Sequence, residues 1–417
     1  MSATSTSDSV ADTAKVRARG YGVFAEGSPR RSLRVEAMPA ASSKRAEEPK
    51  KVLVIGKGSS GKAAAALAEA QGRPVEFADG VGLVVASPGV RVMSELEYGC
   101  RELKRLGVKM LAVTGSKGKS SVVKLVADAL NLAGMHATPC CNYGLPVSEL
   151  ALSLQHAAPS TQQWAVVEVS SFMLETTTLP PDTFEAVAIL NLQEDHLDRH
   201  GSVEVYHALK RRLINFAKVG LAPGDARCDT TTVPKGCYFD NDVLRVNGAY
   251  AVALMRTAGL DDAVIARAFR EFEPLPHRFQ TVAEFDGVRY VDDSKATSIA
   301  ALVAGITMSG ENTRLIAGGL PKGDDPKIAL PILTERVKKV YLIGQSAELF
   351  CSAWKDNVDC EVCETLDRAV ETARREAEKG DTVLLSPGTA SFDQFQSFGE
   401  RGDVFASLVK KEGQKTT

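Results

Sequence analysis

A glycine-rich segment, Thr114-Gly115-Ser116-Lys117-Gly118-Lys119-Ser120-Ser121, stands between an apolar run, Met110-Leu111-Ala112-Val113, and a helical pattern over residues 122–132. Strand, glycine turn, Lys-Ser and helix form the layout of a loop that wraps phosphate. Glycines let backbone N–H groups approach an anion, and the helix N-terminus adds a favourable dipole. In such a loop Lys119 faces the β- and γ-phosphates, and the Ser120 hydroxyl faces a magnesium ion. Val113 occupies the place of the first glycine in G-x-x-x-x-G-K-[ST]. The segment taken alone therefore also fits an ordinary βα turn.

Other polar clusters follow apolar strand patterns. Glu168 ends Trp164-Ala165-Val166-Val167 and precedes Val169-Ser170-Ser171, where a carboxylate suits magnesium. Asn191-Leu192-Gln193-Glu194-Asp195-His196-Leu197-Asp198-Arg199 is dense in ligand-type side chains, and His196 could bind a metal or act as a base. Asp292-Asp293-Ser294-Lys295-Ala296-Thr297 offers donors and acceptors at a helix start, although plain capping explains it as well. Gly318-Gly319-Leu320-Pro321-Lys322-Gly323 adds a cation, and Leu385-Ser386-Pro387-Gly388-Thr389-Ala390-Ser391-Phe392-Asp393 adds hydroxyls and amides. Together these clusters suit an acidic small molecule held between domains.

The elements that position them alternate. Strands are expected at residues 51–56, 74–78 and 83–86, around a helix at 62–70 and the turn Gly56-Lys57-Gly58-Ser59-Ser60-Gly61. Central strands are expected at 110–113, 164–168 and 186–191, with helices at 122–132, 203–216, 250–258 and 261–272 and a short strand at 236–239. A third unit follows Pro274-Leu275-Pro276, with strands at 288–291, 315–317, 339–343, 361–363 and 382–385 between helices at 297–308, 328–336, 347–353 and 366–379. Strands alternating with helices predict an α/β protein with parallel sheets covered on both faces. The expected division is a disordered tail over 1–50, a small domain over 51–108, a central domain over 109–275 and a C-terminal domain over 276–417.

The 417 residues allow two or three domains, and a formal charge of −2 without a long basic block gives no reason to expect nucleic acid. No stretch approaches the ~20 apolar residues that span a bilayer. The eight cysteines are scattered, and the lone Cys360–Cys363 pair has no second pair to complete a zinc site. Reduced thiols in a cytoplasmic protein are expected. Residues 17–34 are arginine-rich and faintly resemble a targeting leader.

The chain resembles the Mur ligases, ATP-dependent amide-forming enzymes of peptidoglycan synthesis, over roughly residues 51 to 410. The resemblance rests on the loop of residues 114–120, Asn142-Tyr143-Gly144-Leu145-Pro146, Glu168-Val169-Ser170-Ser171-Phe172, Asn191 through Arg199, and Tyr206 with Lys210. It continues in His277-Arg278-Phe279, Asp293-Ser294-Lys295-Ala296-Thr297, Gly318-Gly319 with Lys322-Gly323, and Ser386-Pro387 with Ser391-Phe392-Asp393-Gln394-Phe395.

The resemblance implies three domains: a small Rossmann-like N-terminal domain, a central sheet of the P-loop ATPase type and a Rossmann-like C-terminal domain. It implies a ligase that adds D-glutamate to UDP-N-acetylmuramoyl-L-alanine through an acyl phosphate. It implies ATP on Gly115, Ser116, Lys117, Gly118, Lys119, Ser120 and Ser121, with Arg278 on phosphate, Asp293 on the ribose and Asn247 near the adenine. Two magnesium ions are implied, one at Ser120 and Glu168 and one at His196 and a carbamylated Lys210. Lys119, His196 and Lys210 are the implied catalytic residues. Asn142 would touch the acceptor; Lys295, Thr297, Lys322, Ser391 and Phe398 would hold D-glutamate. Ser59, Ser60, Asp79 and Ser87 would grip the uridine-diphosphate end. A monomer is expected.

The chain departs from the family in three places. The first domain lacks a strand–helix pair after Asp79, the stretch between Lys210 and Asn247 is short, and a His-Asn pair expected near the adenine is missing. Other readings stay open: a related ligase of the folylpolyglutamate synthase kind, a paralogue that binds nucleotide without turnover, or a simple phosphotransferase.

Overall fold

The computed structural model describes residues 52–78, 92–155 and 162–413. The expected tail, the strand expected at 83–86, Asp79 and Ser87 lie outside the described residues.

The first unit pairs β1 (Val52–Ile55) with β2 (Val75–Ala78) in parallel, joined by α1 (Ser59–Ala70). A Cβ on Gly61 would stand 2.1 Å from the Gly56 carbonyl oxygen, so only glycine lets the helix start against the turn. Helix α2 (Glu95–Arg105) is an element the pattern reading omits. Its start carries the Ser94-x-x-Glu97 capping-box pattern, of which one half forms: Ser94 Oγ accepts from the Glu97 amide at 3.0 Å, while the Glu97 carboxylate turns to Arg101 and the Thr178 amide. Leu96, Cys100 and Leu103 of α2 enter the same core as Met110, Ala112 and Val167 of the next sheet.

The central sheet runs β4-β5-β3-β6-β7, entirely parallel. Its elements in chain order are β3 (Lys109–Thr114), α3 (Lys119–Leu132), β4 (Ala137–Cys141), α4 (Val147–Leu154), β5 (Trp164–Glu168), α5 (Ser171–Leu174), β6 (Phe184–Ile189), α6 (Leu197–His200), α7 (Val203–Arg212), β7 (Ala217–Leu221), α8 (Arg245–Thr257) and α9 (Asp262–Arg270). Strands β3, β5 and β6 are nearly fully buried, as a sheet covered on both faces requires. One face packs on α3, α8 and α9, the other on α2 and α4. Two edge strands, β4 and β7, exceed the expectation. The strand expected at 236–239 is instead a series of turns. Phe239 is drawn inward against Phe269 and Phe272, and Gly236 N–H donates to Asp240 at 2.7 Å. The helix expected over 203–216 stops at Arg212 and continues as a 3-10 turn, Leu213–Phe216.

The C-terminal sheet has the order β12-β11-β10-β13-β9-β8. Its elements are β8 (Gln280–Phe285), β9 (Val288–Asp292), α10 (Ile299–Ser309), β10 (Thr313–Gly318), α11 (Leu330–Arg336), β11 (Val337–Ile343), α12 (Ala347–Trp354), β12 (Asp359–Glu364), α13 (Leu366–Glu376), β13 (Thr382–Leu385) and α14 (Phe398–Gly413). The sheet is mixed rather than wholly parallel, because β8 joins β9 through a tight hairpin. Asp286 and Gly287 both take positive φ there, 55° and 74°, as a type I′ turn needs. Cys360 and Cys363 fall in cores on opposite faces of this sheet, which separates the C-x-x-C thiols, and the eight cysteines are free. Loops after β9, β10 and β13 open at the carboxyl ends of neighbouring strands, where α/β sheets hold ligands.

Candidate functional site

The glycine-rich loop of residues 114–121 joins β3 to α3 and is braced from β6. Asn191 Oδ1 accepts from the amides of Ser116 and Lys117 at 3.1 and 2.9 Å, while its Nδ2 donates to the Lys117 carbonyl at 3.0 Å. Those amides are therefore occupied within the protein, which leaves those of Gly118, Lys119 and Ser120 at the helix start to face an anion. Gly118 takes φ 84°, and a Cβ there would lie 2.1 Å from Asn247 Nδ2. Asn247 thus packs under the loop itself. Lys119 Nζ folds back onto the carbonyls of Gly115 and Ser116 at 2.9 and 3.2 Å. Burial, chiefly, holds its pKa below the ordinary lysine value.

Lys210, on α7, is almost fully buried and donates to the same Gly115 carbonyl at 3.0 Å. Its Nζ lies 4.6 Å from the Tyr206 ring, one helical turn earlier. Tyr206 OH donates to Ser116 Oγ at 3.1 Å, and Ser116 Oγ also meets the backbone of Gln193. The Ser116 side chain is thus a latch between loop, α7 and the β6 end. Burial first, and the neighbouring Lys119 second, push the Lys210 amine down to about 7.

Glu168 ends β5 inside the cleft and is buried. Its Oε1 accepts from Asn142 Nδ2 at 2.7 Å, while its Oε2 is buried without a hydrogen-bond partner. A buried carboxylate oxygen left without a donor fits a cation. Ser120 supplies a hydroxyl in the same loop. His196 caps α6 at φ 54°, with its ring 4.9 Å from Phe172 and its Nε2 3.9 Å from Asp195. Among the described residues no three His, Cys, Asp or Glu side chains form a ready-made metal cluster. The donor set fits an ion completed by phosphate oxygens and water rather than an all-protein cage.

The C-terminal domain reaches this centre through Arg278. Its guanidinium donates to Ser120 Oγ at 3.2 Å, and its carbonyl accepts from Tyr238 OH at 3.3 Å. The residues on either side, His277 and Phe279, take φ 60° and 48°, a strained backbone that aims the arginine. His277 Nδ1 hydrogen-bonds Asp292 Oδ2 at 2.7 Å. Asp293 accepts from Phe279 N–H at 3.1 Å and from Ser386 Oγ at 3.0 Å. Burial pushes its carboxyl up to about 7.

Lys295 Nζ stands 3.8 Å from the Phe398 ring. Burial, then Arg278 and Lys322, lower its pKa, and Glu168 acts the other way. The Arg278–Ser120 hydrogen bond brings groups from both domains to one cleft. Ser391 is buried, Thr297 half-buried and Lys322 exposed on the β10 loop. Ser59 and Ser60 lie apart from these groups, in the first turn of α1. The residue reading assigned no role to the Asn191 brace, the Ser116 latch or the buried Arg401. Only Asn191 carried a legible signal, as the first polar residue after β6.

A family model described as the Mur ligase middle domain matches residues 113–226, and one described as the Mur ligase glutamate ligase domain matches residues 277–388. UDP-N-acetylmuramoylalanine–D-glutamate ligase of Nitratidesulfovibrio vulgaris is 34% identical, over 86% of this chain and 95% of the relative. The chain belongs to the Mur ligase family. UDP-N-acetylmuramoylalanine–D-glutamate ligases of Chlamydia caviae and Gloeobacter violaceus are 32% and 35% identical, over 80% and 79% of this chain and 85% and 82% of theirs. The Mur ligase fold is also found in solved structures. The MurF ligase of Thermotoga maritima, in complex with ADP, covers 90% of this chain and 97% of its own at TM-score 0.57 and 17% identity. A folylpolyglutamate synthase/dihydrofolate synthase of Yersinia pestis covers 78% and 96% at TM-score 0.52 and 17% identity. In this Mur ligase the matched middle domain carries the phosphate loop, Glu168 and Lys210. The matched glutamate ligase domain carries Arg278 and Lys295.

Proposed function

We propose that this Mur ligase joins D-glutamate to UDP-N-acetylmuramoyl-L-alanine at the cost of ATP. The observation that carries the reading is the convergence of Lys119, Lys210 and Glu168 from one domain with Arg278 and Lys295 from the next. The curated relatives named above, similar over most of their length, support the choice of acceptor and amino acid. The proposed division is 51–108 for the nucleotide-sugar, 109–275 for ATP and 276–417 for the amino acid. No described helix is long and apolar enough to cross a membrane. A cytoplasmic monomer is proposed.

The chemistry follows from charge. A carboxylate is a poor electrophile because its oxyanion leaves poorly. Transfer of the γ-phosphoryl group to a carboxylate oxygen gives an acyl phosphate and ADP. The D-glutamate amine then attacks the acyl carbon, loses a proton and expels phosphate, forming the amide. The reactants are anionic, so cations must gather them. Lys119 needs only to leave the Gly115 and Ser116 carbonyls to reach a bound phosphate. Arg278 brings a second cation, and Asn142, which orients Glu168, would touch the acceptor. Lys295, Thr297, Lys322, Ser391 and Phe398 would seat the amino acid. Asp293 and Asn247 would line the nucleoside side, and Ser59, Ser60, Asp79 and Ser87 the uridine end.

Magnesium, held at Ser120 and Glu168 with a second ion at His196 and a carbamylated Lys210, would supply positive charge to the transferring phosphoryl group. A Lys210 amine with a pKa near 7 has the neutral form that adds CO₂ with loss of a proton. The neighbouring Lys119 cation would favour an anion over a second cation at that position. A paralogue that binds nucleotide without turnover is the second reading; the short stretch between Lys210 and Asn247 favours it.

A phosphate-release assay with ATP, magnesium, the UDP-muramoyl-alanine substrate and a panel of amino acids tests the reading. Release confined to D-glutamate supports it. Release with another amino acid overturns the substrate, and release with none favours the paralogue.

A further inference from the structure

Arg401, in the first turns of α14, is completely buried. Its Nε donates to Ser294 Oγ at 3.0 Å and its Nη2 to the carbonyls of Ser294 and Thr389 at 2.9 and 3.2 Å. Its Nη1 donates to the Ala390 carbonyl at 3.2 Å. The third strand-end loop touches it as well, because a Cβ on Gly319 would lie 3.1 Å from Nη1. One planar guanidinium thus ties together the loops after β9 and β13 and packs directly against the loop after β10. Ser294 precedes Lys295, and Ala390 precedes Ser391. Ser294 Oγ in turn donates to the Phe398 carbonyl at 2.8 Å.

Buried arginines are ordinarily paired with a carboxylate. Among the described residues Arg401 spends its hydrogen bonds on carbonyls and a hydroxyl, and no carboxylate forms an ion pair with it. Asp393 and Asp292 act on it only at longer range, and burial lowers its pKa to about 10. The guanidinium therefore carries positive charge directly beneath the loops proposed to hold the amino acid.

We propose that Arg401 is a positioning residue for the amino-acid pocket, setting the spacing of the three loops and biasing the pocket toward a dicarboxylate. The inference rests on the D-glutamate reading and adds the residue that makes the pocket select charge. Lysine keeps the charge but not the fork, so it can hold fewer loops at once. Glutamine loses both.

The test uses the full chain as wild type, Arg401→Lys, Arg401→Gln and Ser294→Ala, with saturation kinetics in each substrate. The expected result is a rise of about tenfold or more in KM for D-glutamate in Arg401→Gln, with a smaller rise in Arg401→Lys and Ser294→Ala. KM for ATP and for the UDP-substrate should stay within about twofold. The preference for D-glutamate over D-glutamine should fall in Arg401→Gln and be largely restored in Arg401→Lys. An unchanged KM for D-glutamate, or equal rises for all three substrates with a lowered melting temperature, overturns the inference. If Arg401→Gln does not fold, Arg401→Lys and Ser294→Ala decide on the same criterion. If the wild type turns over only a neutral or basic amino acid, the reading and the inference both fall. If the wild type has no turnover, D-glutamate-induced thermal stabilisation is the readout: its loss in Arg401→Gln upholds the inference, its retention or absence in wild type overturns it.

Discussion

Lys119 and Lys210 donate to one carbonyl oxygen, that of Gly115, at 2.9 and 3.0 Å. Two ammonium groups on one acceptor repel, and Lys119 lowers the proton affinity of Lys210, already reduced by burial. The arrangement is poised for change. Turning Lys210 into an anion would replace that repulsion with attraction.

Lys119→Ala should lower kcat by at least ~10³-fold, since it removes a cation aimed at the transferring group. Lys210→Ala should do the same, and short carboxylic acids such as acetate should restore part of the activity by entering the vacated space. Steady-state phosphate release with and without the acid measures both. Full activity in Lys210→Ala with no response to carboxylates would rule out a carbamate.

Asn191→Ala removes the acceptor of the Ser116 and Lys117 amides and the donor to the Lys117 carbonyl. The loop then loses its shape rather than its charge. Nucleotide affinity measured by calorimetry should weaken by about 10- to 100-fold, or about 1.4–2.8 kcal/mol, while the melting temperature changes little. Unchanged affinity would show that the loop holds itself.

Asp293 gives a pH-dependent term. Its carboxyl titrates at about 7 in the fold, against about 3.9 in an unfolded chain. Between those values the folded state holds a proton that the unfolded state has lost, so stability falls as pH rises through this window and levels off above 7. Asp293→Asn keeps both hydrogen bonds, accepting from Phe279 N–H and donating to Ser386, without the charge. The variant should gain more over wild type at pH 8 than at pH 5, by about 2 kcal/mol in urea unfolding. An equal gain at both pH values contradicts this assignment.

Much of this layout could be read from residue order, because buried strands announce themselves. β3, β5 and β6 are largely apolar runs; β5 ends in Glu168, while β3 leads into the glycine-rich loop and β6 into Asn191. β4 was hidden by Pro139 and its half-polar composition, which only an edge strand tolerates. Two omitted elements carried local signals: the Ser94-to-Glu97 capping box for α2 and Asp286-Gly287 for the β8 hairpin. Lys119, Glu168 and Lys210 are legible from type and spacing. The Gly115 carbonyl shared by two lysines is not, since it depends on loop and helix meeting across distant sequence. Arg401 was likewise silent, because a buried arginine in an amphipathic helix looks like any surface cation.

The most direct measurement follows oxygen. UDP-muramoyl-alanine labelled with ¹⁸O in its free carboxylate is turned over with ATP, magnesium and D-glutamate, and the released phosphate is examined by mass spectrometry. Activation by phosphoryl transfer predicts one ¹⁸O atom in each phosphate and one retained in the new amide. Phosphate free of label, with amide formed, would contradict it.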